Sequence, residues 1–397
     1  MSIRVRFAPS PTGLLHIGGL RTALYNFLLA RKHGGTFILR IEDTDRSRYV
    51  PKAEQDIIDS LHWAGMDFDE GPGKGGPHAP YYQSERGDLY KAAAEKLLTD
   101  GHAYIAFDTP EDIEAMRERL KTKENPTPKY DLKTRSEMTN SLTLSEEEVQ
   151  KRLGAGEEYV VRLLVPDEET VRFHDLVRGD VEFETAQVDD QVLVKSDGMP
   201  TYHLANVVDD HAMEITHVIR GEEWLSSVPK HMLLYRFLGY EPPQMAHLPL
   251  IMSPTGGKLS KRSADKLGIP VNVKQYREAG YEPEALVNFL AFLGWNPGTE
   301  QEVFTMDELI DAYTVERTGQ SGVQFNIDKL NWYNAQFVHQ LSPEEIADRA
   351  KPAVEKTVGP VDHDKLVVVA ELMRERLTFT HDLADSAYFF KDPETYY

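Results

Sequence analysis

Residues 4–45 contain two strand-like segments, with a glycine-rich turn and a helical pattern between them. Residues 4–8 alternate charged and apolar side chains, which is typical of a strand. Two prolines and a glycine in residues 9–13 exclude regular structure there. Apolar side chains then follow helical spacing up to the glycine pair at 34–35, which can end a helix, and a second β-rich run covers 36–41. This order predicts a βαβ unit.

The turn between the first strand and the first helix carries His16, Gly18 and Gly19. A helix N-terminus offers backbone N–H groups and positive potential to a phosphate, so this turn indicates a phosphate-binding α/β domain. Glycine loops alone are weak evidence, however, and a plain structural turn whose histidine begins the helix stays open at this point.

Two later segments carry further signals. The run 218–224 passes from apolar residues into Arg220-Gly221-Glu222-Glu223-Trp224, and a basic loop, Lys258-Leu259-Ser260-Lys261-Arg262, follows a short apolar run at 248–252. A histidine-glycine turn early in a chain and a Lys-x-Ser-Lys loop late in it resemble the paired signatures of class I aminoacyl-tRNA synthetases. With the segments 8–13, 40–45 and 202–210 added, the motifs closely resemble those of bacterial-type glutamyl-tRNA synthetases. The resemblance runs from Arg4 to about Phe390.

The composition sets limits on the class of protein. A chain of 397 residues is long for one core and suggests about two to four units. No run approaches the length of a membrane span, and the N-terminus lacks the apolar core of a signal peptide. The absence of cysteine excludes disulfides and thiolate metal sites, and a cytoplasmic protein is the simplest interpretation.

The formal charge of −21 argues against nucleic acid as a partner if it is taken at face value. Net charge does not describe the local potential of one face, however. A chain that binds tRNA with this composition must gather its 44 Lys and Arg residues along one surface.

The pattern of the remaining chain agrees with a split α/β domain. Residues 159–165, 171–177 and 181–183 are strand-like and follow a charged helical stretch at 110–123, which indicates an α+β insertion. Strand and helix alternation resumes at Val192, with a strand at 216–220 and a helix predicted over 222–238. After Lys266 the chain turns helical, with helix starts at Glu282-Pro283, Thr305 and Ser342 and a further helix over 364–379.

The resemblance therefore implies a split doubly wound, Rossmann-type α/β catalytic domain with an inserted α+β acceptor-binding domain and an all-α C-terminal region. The implied segments are the first half of the catalytic domain (1–100), the inserted domain (101–191), the second half (192–252), a stem-contact region with the basic loop (253–325), and a helical anticodon-binding domain (326–397). Family members normally continue with a second helical domain, so a chain ending at Tyr396-Tyr397 is expected to carry the anticodon-binding region incompletely.

The activity that the resemblance implies is the ATP-dependent ligation of L-glutamate to tRNA(Glu) through glutamyl-adenylate. ATP would bring Mg²⁺, for which no carboxylate ligand can be assigned. Some relatives carry a zinc knuckle in the insertion; this chain has no cysteine, so no protein-bound zinc is predicted. A monomer is expected, and membranes are not expected among its partners.

The resemblance assigns His16, Lys258 and Lys261 to catalysis. It assigns ATP binding to His16, Gly18, Gly19, Glu223, Trp224, Leu250, Lys258, Ser260 and Lys261. Mobile lysine charges suit a transition state with developing negative charge, although a merely solvated basic loop is the plain alternative. Trp224 is expected either at the adenine site or in the core.

Glutamate binding is assigned by the same resemblance to Arg6, Ala8, Ser10, Glu42, Tyr202, Asn206 and Arg220. Arg220 would bind the side-chain carboxylate and reject glutamine, and Glu42 would bind the α-ammonium group. The alternative for these two is a mutual structural salt bridge. Arg376 falls where the family reads the last anticodon base, and a helix-surface arginine without a role is its alternative.

Two competing functions stay open at the level of sequence. One is a paralogue that glutamylates a modified base of a tRNA; it lacks the helical C-terminal region. The other is a non-catalytic tRNA-binding relative, which would be expected to lose His16, Lys258 or Lys261.

Overall fold

The computed structural model describes residues 2–390, apart from the side chains of Arg46 and Lys261. The described chain forms two compact units. The first unit comprises residues 2–11, 34–49 and 68–247, and the second comprises 12–33, 50–67 and 248–390. These units do not follow the five segments predicted from the sequence, and compactness alone does not test that division, which stays a prediction.

The regular elements are numbered in chain order. The strands are β1 (Arg4–Phe7), β2 (Thr36–Leu39), β3 (Ala103–Ala106), β4 (Val160–Leu163), β5 (Thr170–Asp175), β6 (Gly179–Glu184), β7 (Val192–Val194), β8 (His217–Gly221), β9 (Gln244–Leu248), β10 (Ile251–Met252) and β11 (Val323–Gln324). The helices are α1 (Ile17–Lys32), α2 (Ala53–Trp63), α3 (Gly87–Thr99), α4 (Pro110–Leu120), α5 (Glu146–Gly154), α6 (Tyr202–Ala212), α7 (Val228–Leu238), α8 (Lys261–Leu267), α9 (Val273–Glu278), α10 (Pro283–Phe292), α11 (Met306–Ala312), α12 (Ile327–Val338), α13 (Pro343–Val358) and α14 (His363–Met373).

The first strands of the chain pair as the sequence predicts. β1 and β2 are parallel and in register from Arg4 opposite Thr36 to Phe7 opposite Leu39, and α1 lies in the connection between them. Thr216, directly before β8, donates its N–H to Arg4 O at 2.9 Å and accepts the Arg4 N–H on Oγ1 at 2.9 Å. The starts of β1 and β8 therefore lie side by side, and Arg6 and Arg220 stand near the far ends of these strands.

The strands of the predicted insertion (101–191), together with β7 directly after it, fall into two groups. β3, β4 and β7 form an antiparallel sheet with its own apolar cluster, which includes Tyr104, Met116 and Tyr130. β5 and β6 form a hairpin that continues the order β6-β5-β9-β8, and Asp175 at the end of β5 pairs in parallel with Met245. The hairpin thus extends the sheet that carries Arg220.

Helix α6 is buried around much of its circumference. Its apolar residues Leu204, Val207 and Val208 lie in the core of the first unit. Asn206, Asp209 and Asp210 are also buried, with at most 2% of each residue exposed. Buried carboxylates need charge partners, so this helix requires cations on the elements around it.

The second unit is built mainly from helices. α1 packs with α10, where the Tyr25 hydroxyl donates to Ala291 O at 2.8 Å. The predicted capping boxes at Thr305 and Ser342 are confirmed: each side chain accepts an N–H three residues on, at 3.2 Å in both cases. α13 and α14 pack around an apolar cluster that includes Ile346. None of the described helices is long and apolar enough to cross a membrane.

Two predicted helices have the wrong bounds. Residues 222–238 do not form one helix: Glu222–Ser227 is a 3-10 helix, and α7 begins at Val228. Pro229 explains this start, because proline fits the first turn of an α-helix and its ring would clash with a preceding turn. α14 ends at Met373 and does not reach residue 379, because Leu377 is extended and buried in the C-terminal cluster.

Candidate active site

A group of buried charged side chains lies where β1 and β2 end beside α6, within the first unit. This buried charge cluster comprises Arg6, Arg40, Glu42, Asp209 and Asp210, each at most 8% exposed. Arg6 belongs to β1, Arg40 and Glu42 directly follow β2, and the two aspartates belong to α6.

Asp210 joins the two arginines of the cluster. Arg6 donates through Nε and Nη2 to the two Asp210 oxygens, at 3.0 and 3.2 Å, and Arg40 donates through Nη1 to Oδ1 at 2.7 Å. Burial opposes the charge of Asp210, but these two guanidinium groups hold the pKa of its carboxyl below the ordinary value. Arg6 is therefore oriented by this side chain and does not stand alone at its strand end.

Glu42 has a different electrostatic setting. Arg40 donates to Glu42 Oε1 through Nη2 at 3.1 Å. Burial nevertheless raises the pKa of Glu42, and the charges of Arg40 and Arg6 only partly offset this effect. The alternative of a structural salt bridge between Glu42 and Arg220 is wrong, because Glu42 pairs with Arg40.

Asp209, the last member of the cluster, and the neighbouring Asn206 complete the contacts of this region. Asp209 accepts from Gln83 at 2.9 Å, Arg86 at 2.6 Å and Tyr90 at 2.8 Å, which fixes the helix to the segment after β2. The Asn206 amide is assigned from its hydrogen bonds. With its oxygen towards the guanidinium groups, it accepts from Arg40 Nη2 at 3.1 Å and from Arg6 Nη2 at 3.3 Å.

Arg220 is a buried cation of another kind. Its side chain donates from Nη1 to the Tyr202 hydroxyl at 2.8 Å and from Nε to His247 Nε2 at 3.0 Å. Longer contacts join it to Trp224 O at 3.4 Å and to His231 Nδ1 at 3.4–3.5 Å. None of the carboxylates in the described part of the chain forms an ion pair with Arg220, although the residue is only 5% exposed.

The histidines near Arg220 do not add positive charge at neutral pH. Burial and the charge of Arg220 lower the pKa of His231 well below its ordinary value. Burial, together with Lys230, lowers the pKa of His203 to about 4. His203 Nδ1 lies 3.1 Å from His231 Nε2, so the two imidazoles share one hydrogen bond. Arg220 thus faces neutral acceptors.

The other predicted residues of the first unit are Ala8, Ser10, Glu223 and Trp224. The Tyr202 and Trp224 ring centroids are 4.4 Å apart, and Trp224 remains 40% exposed, so its assignment to the core is wrong. Ala8 is half-buried and Ser10 exposed, and their segment is fixed by the Glu42 N–H, which donates to Pro9 O at 3.0 Å. Glu223 is exposed in the 3-10 helix after β8.

The histidine-glycine turn lies in the second unit. His16 is the N-cap of α1, and its Nδ1 accepts the Gly19 N–H at 3.0 Å, so the neutral ring carries its proton on Nε2. A Cβ at Gly18 would lie 3.1 Å from His16 Nδ1. The turn is fixed by Ile17, whose N–H donates to Val271 O at 3.0 Å. The capping role of His16 is therefore assigned to Nδ1 of its ring.

The basic loop also belongs to the second unit. Ser253 donates its N–H to Gly257 O at 2.8 Å, and Gly256 and Gly257 have φ values of +94° and +73°, which favour glycine. Lys258 pairs with Met252 in an isolated bridge, and Ser260 caps α8. The side chain of Lys261, the first residue of α8, lies outside the described residues. The Leu250 carbonyl accepts the Val323 N–H at 2.9 Å.

Arg376 is exposed in the 3-10 turn after α14.

For metals, no group of three or more His, Asp or Glu side chains among the described residues could hold an ion. That no zinc is bound by the protein stays a prediction.

Comparison with known proteins assigns the class. The family model for tRNA synthetases class I (E and Q), catalytic domain, matches residues 2–332. The chain belongs to this family. Two curated relatives are the glutamate–tRNA ligases of Cytophaga hutchinsonii and Amoebophilus asiaticus. They are 56% and 53% identical to it, over 99% of this chain and 79% and 80% of those proteins.

Solved structures agree with this class. A crystal structure of a glutamate tRNA ligase from Elizabethkingia meningosepticum, in complex with its amino acid, superimposes with a TM-score of 0.95 at 45% identity. It covers 100% of this chain and 82% of that one. The corresponding enzyme of Elizabethkingia anophelis gives 0.96 at 45% identity, over 100% of this chain and 83% of that one. The predicted fold class, a Rossmann-type α/β catalytic domain followed by a helical region, is confirmed.

Sequence reasoning did not single out several residues of the site. Arg40 and Asp210 lie inside the family-like segments 40–45 and 202–210, but the sequence pattern predicts no role for them. A charged residue directly after a buried strand, and paired aspartates in an otherwise apolar helix, are the signals that could have identified them. His231 and His247 carried no signal, because neither belongs to a motif.

Proposed function

We propose that this chain is a glutamate–tRNA ligase. In the first step, an oxygen of the glutamate α-carboxylate attacks the α-phosphorus of ATP, and pyrophosphate leaves. In the second, a ribose hydroxyl oxygen of the terminal adenosine of tRNA(Glu) attacks the carbonyl carbon of the adenylate, its proton is released, and AMP leaves. Such a reaction is catalysed by positioning the substrates and by stabilising the negative charge that develops on the phosphates, and it needs no protein nucleophile.

The observation that carries the assignment to glutamate is the environment of Arg220. A buried guanidinium group without a carboxylate partner is costly, and a ligand carboxylate would supply the missing charge. Glutamine would place a neutral amide there and leave the cation uncompensated, so it would bind much more weakly. The Tyr202 hydroxyl, which accepts from Arg220, keeps its own proton for the same carboxylate.

The α-amino and α-carboxylate groups of the amino acid are proposed to bind at the buried charge cluster. Glu42 would accept the ammonium group, and Arg6 would bind the α-carboxylate while Asp210 fixes its orientation. Asn206, Ala8 and Ser10 would complete this part of the pocket. The roles of Glu42, Arg6 and Asn206 are supported by burial and by the distances within the first unit. Those of Ala8 and Ser10 are proposed from the family resemblance alone.

The ATP side is proposed from the family motifs. His16 would donate from Nε2 to a phosphate oxygen, and Gly18 and Gly19 would allow the nucleotide to approach the backbone. Lys258 and Lys261 would stabilise the charge that develops on the phosphates, with Ser260 fixing the start of α8. Leu250, Glu223 and Trp224 are the proposed contacts of the nucleoside. Mg²⁺ is proposed only as a partner of ATP, and no step is assigned to it.

The test is ATP–pyrophosphate exchange with L-glutamate, with and without tRNA(Glu). Enzymes of this branch are expected to require the tRNA before they activate the amino acid, so exchange only in its presence would support the proposal. Exchange without tRNA would favour the paralogue that modifies a tRNA base, and no exchange in either condition would refute a ligase function for this chain. Arg220→Ala should abolish the preference for glutamate over glutamine.

The base-modifying paralogue is the weaker candidate, because the described chain continues after the basic loop into the helices α12, α13 and α14. A role of Arg376 at the anticodon, a monomeric state and a cytoplasmic location stay predictions.

A further inference from the structure

We propose that His247, held by Asp175, is a positioning residue that sets the orientation of the Arg220 guanidinium group and leaves its charge unpaired, so that the site selects a carboxylate over an amide. This inference rests on the proposed role of Arg220. It adds two residues from β9 and β5 to amino-acid selection, neither of which belongs to a sequence motif described above.

The Asp175–His247 pair is completely buried. Asp175 Oδ2 lies 2.6 Å from His247 Nδ1, and both residues are 0% exposed. Asp175 Oδ1 also accepts the backbone N–H groups of Val177 at 3.0 Å, Arg178 at 2.9 Å and His247 at 3.2 Å. A carboxylate with these donors is ionised and rigid, so His247 has one ring orientation.

Both neighbours of His247 require the same tautomer. The guanidinium group of Arg220 can only donate, so His247 Nε2, 3.0 Å from Arg220 Nε, must be the acceptor. The proton of the ring then lies on Nδ1, facing the Asp175 carboxylate. A carboxylate hydrogen-bonded to one ring nitrogen fixes the histidine tautomer in this way in metal and triad sites, and here the fixed acceptor faces an arginine.

The hydrogen bond to His247 determines which edge of Arg220 can bind a ligand. Because Nε is engaged, a side-on approach through Nε is blocked, and the Nη1–Nη2 edge remains. On that edge the contact with Tyr202 is short, at 2.8 Å, whereas those with His231 and Trp224 O lie at 3.4–3.5 Å. A carboxylate that approaches this edge can form two parallel hydrogen bonds, which an amide cannot match in charge.

A neutral hydrogen-bond acceptor at position 247 favours binding of a ligand carboxylate, whereas a carboxylate side chain there would neutralise Arg220. The charged groups that face His247 are Asp175, Arg178 and Arg220, from β5, the turn after it and β8. Burial lowers the pKa of His247, although the hydrogen bond with Asp175 opposes the effect. At neutral pH the imidazole therefore orients Arg220 without neutralising it.

The same hairpin contains a matched control. His174 Nδ1 lies 2.7 Å from Asp180 Oδ1, the same pair of groups at nearly the same distance, but these side chains are 66% and 90% exposed and do not contact Arg220. His174→Gln therefore repeats the substitution without touching the site.

The experiment measures KM for glutamate, KM for ATP and the glutamate-to-glutamine preference in tRNA-dependent ATP–pyrophosphate exchange, using the full chain. His247→Leu removes the acceptor and is expected to raise KM for glutamate by about 10-fold or more, with KM for ATP unchanged. His247→Gln places an amide oxygen near the position of Nε2 and is expected to restore most of the glutamate affinity. His174→Gln is expected to match the wild type.

If His247 has a purely structural role, His247→Leu should change both KM values and kcat together, and His247→Gln should not restore them. This result would overturn the proposal. The imidazole ¹⁵N spectrum of the wild type, assigned by comparison with His247→Gln, gives a test that needs no folded His247→Leu variant: a proton on Nε2 would contradict it. If Arg220→Ala loses glutamate preference while His247→Leu keeps it, this inference alone is wrong. If the wild type activates no glutamate, the proposed function falls, and this inference with it.

Discussion

Arg40 is completely buried, yet it is surrounded by enough negative charge to remain ionised. Although burial disfavours its charge, Asp210, Glu42 and Asp209 hold the pKa of Arg40 well above the ordinary value. At the level of single residues, the site is therefore a set of paired charges around Asp210, beside one guanidinium group, Arg220, that has only neutral partners in the described chain. Asp210 holds the first set together, and two of its members, Arg6 and Glu42, are proposed to bind the amino acid, as Arg220 is.

The paired set predicts a large effect on stability. Asp210→Asn leaves Arg6 and Arg40 with one fewer buried partner and should lower the free energy of unfolding by about 3–5 kcal/mol. Urea denaturation at neutral pH measures this change. Asp180→Asn, at an exposed pair, should change it by less than about 0.5 kcal/mol. Equal effects of the two substitutions would show that Asp210 does not hold the cluster together.

Glu42 predicts a dependence on pH. In its proposed role, its carboxylate must be ionised to bind the ammonium group of glutamate. Burial raises its pKa, so its charge is lost at a higher pH than for an ordinary glutamate residue. KM for glutamate should therefore rise as the pH falls through this raised pKa, while KM for ATP stays constant. Glu42→Gln should give a high KM that no longer changes over the same pH range. A pH-independent KM in the wild type would contradict the assignment.

At the level of elements, the sequence predicted the helices whose ends carry local signals. α10, α11 and α13 begin where Pro283, Thr305 and Ser342 indicate, because a cap or an N-terminal proline acts within one turn. The start of α7 was missed because the apolar spacing continues through the preceding 3-10 helix. α12 was missed although Asn326 caps it with bonds of 3.0 and 3.2 Å.

The candidate site was only partly predictable, because local sequence signals do not identify partners that are distant along the chain. Arg220 and Glu42 lie in recognisable motifs, but their partners come from elements distant in sequence. The contact of Arg220 with His247 spans 27 residues, and that of Arg6 with Asp210 spans 204. No local pattern fixes such pairs, because they depend on which strands become neighbours.

The turn before α1 predicts an effect on the ATP step. A Cβ at Gly18 would lie 3.1 Å from His16 Nδ1 and 3.2 Å from Cε1, so Gly18→Ala should displace the imidazole. We expect kcat for exchange to fall by about 10-fold or more, with KM for glutamate unchanged. Gly13→Ala is the control, since a Cβ there meets nothing within 4 Å. Equal activity of both variants would show that the position of His16 does not matter.

At the level of the whole molecule, the charge of −21 opposes long-range attraction of a polyanion. Binding of tRNA must then depend on local contacts between cations and phosphates. Raising the salt concentration from about 50 to about 200 mM should raise KM for tRNA by an order of magnitude or more. KM for glutamate should change little, because buried charge pairs are poorly screened. Kinetics of exchange at several salt concentrations test this; parallel changes in both constants would contradict it.

The division of the chain between its two units has a consequence for synthesis on the ribosome. Helix α1 emerges early, but the carbonyl groups that bind Tyr25 and Arg21 belong to Ala291 and Leu293, 266 and 272 residues later. Until that part of the chain has emerged, the two side chains lack these carbonyl acceptors. Until residue 293 has been synthesised, a nascent chain of this protein would therefore carry helix α1 without these contacts, exposed to chaperones and proteases in the meantime.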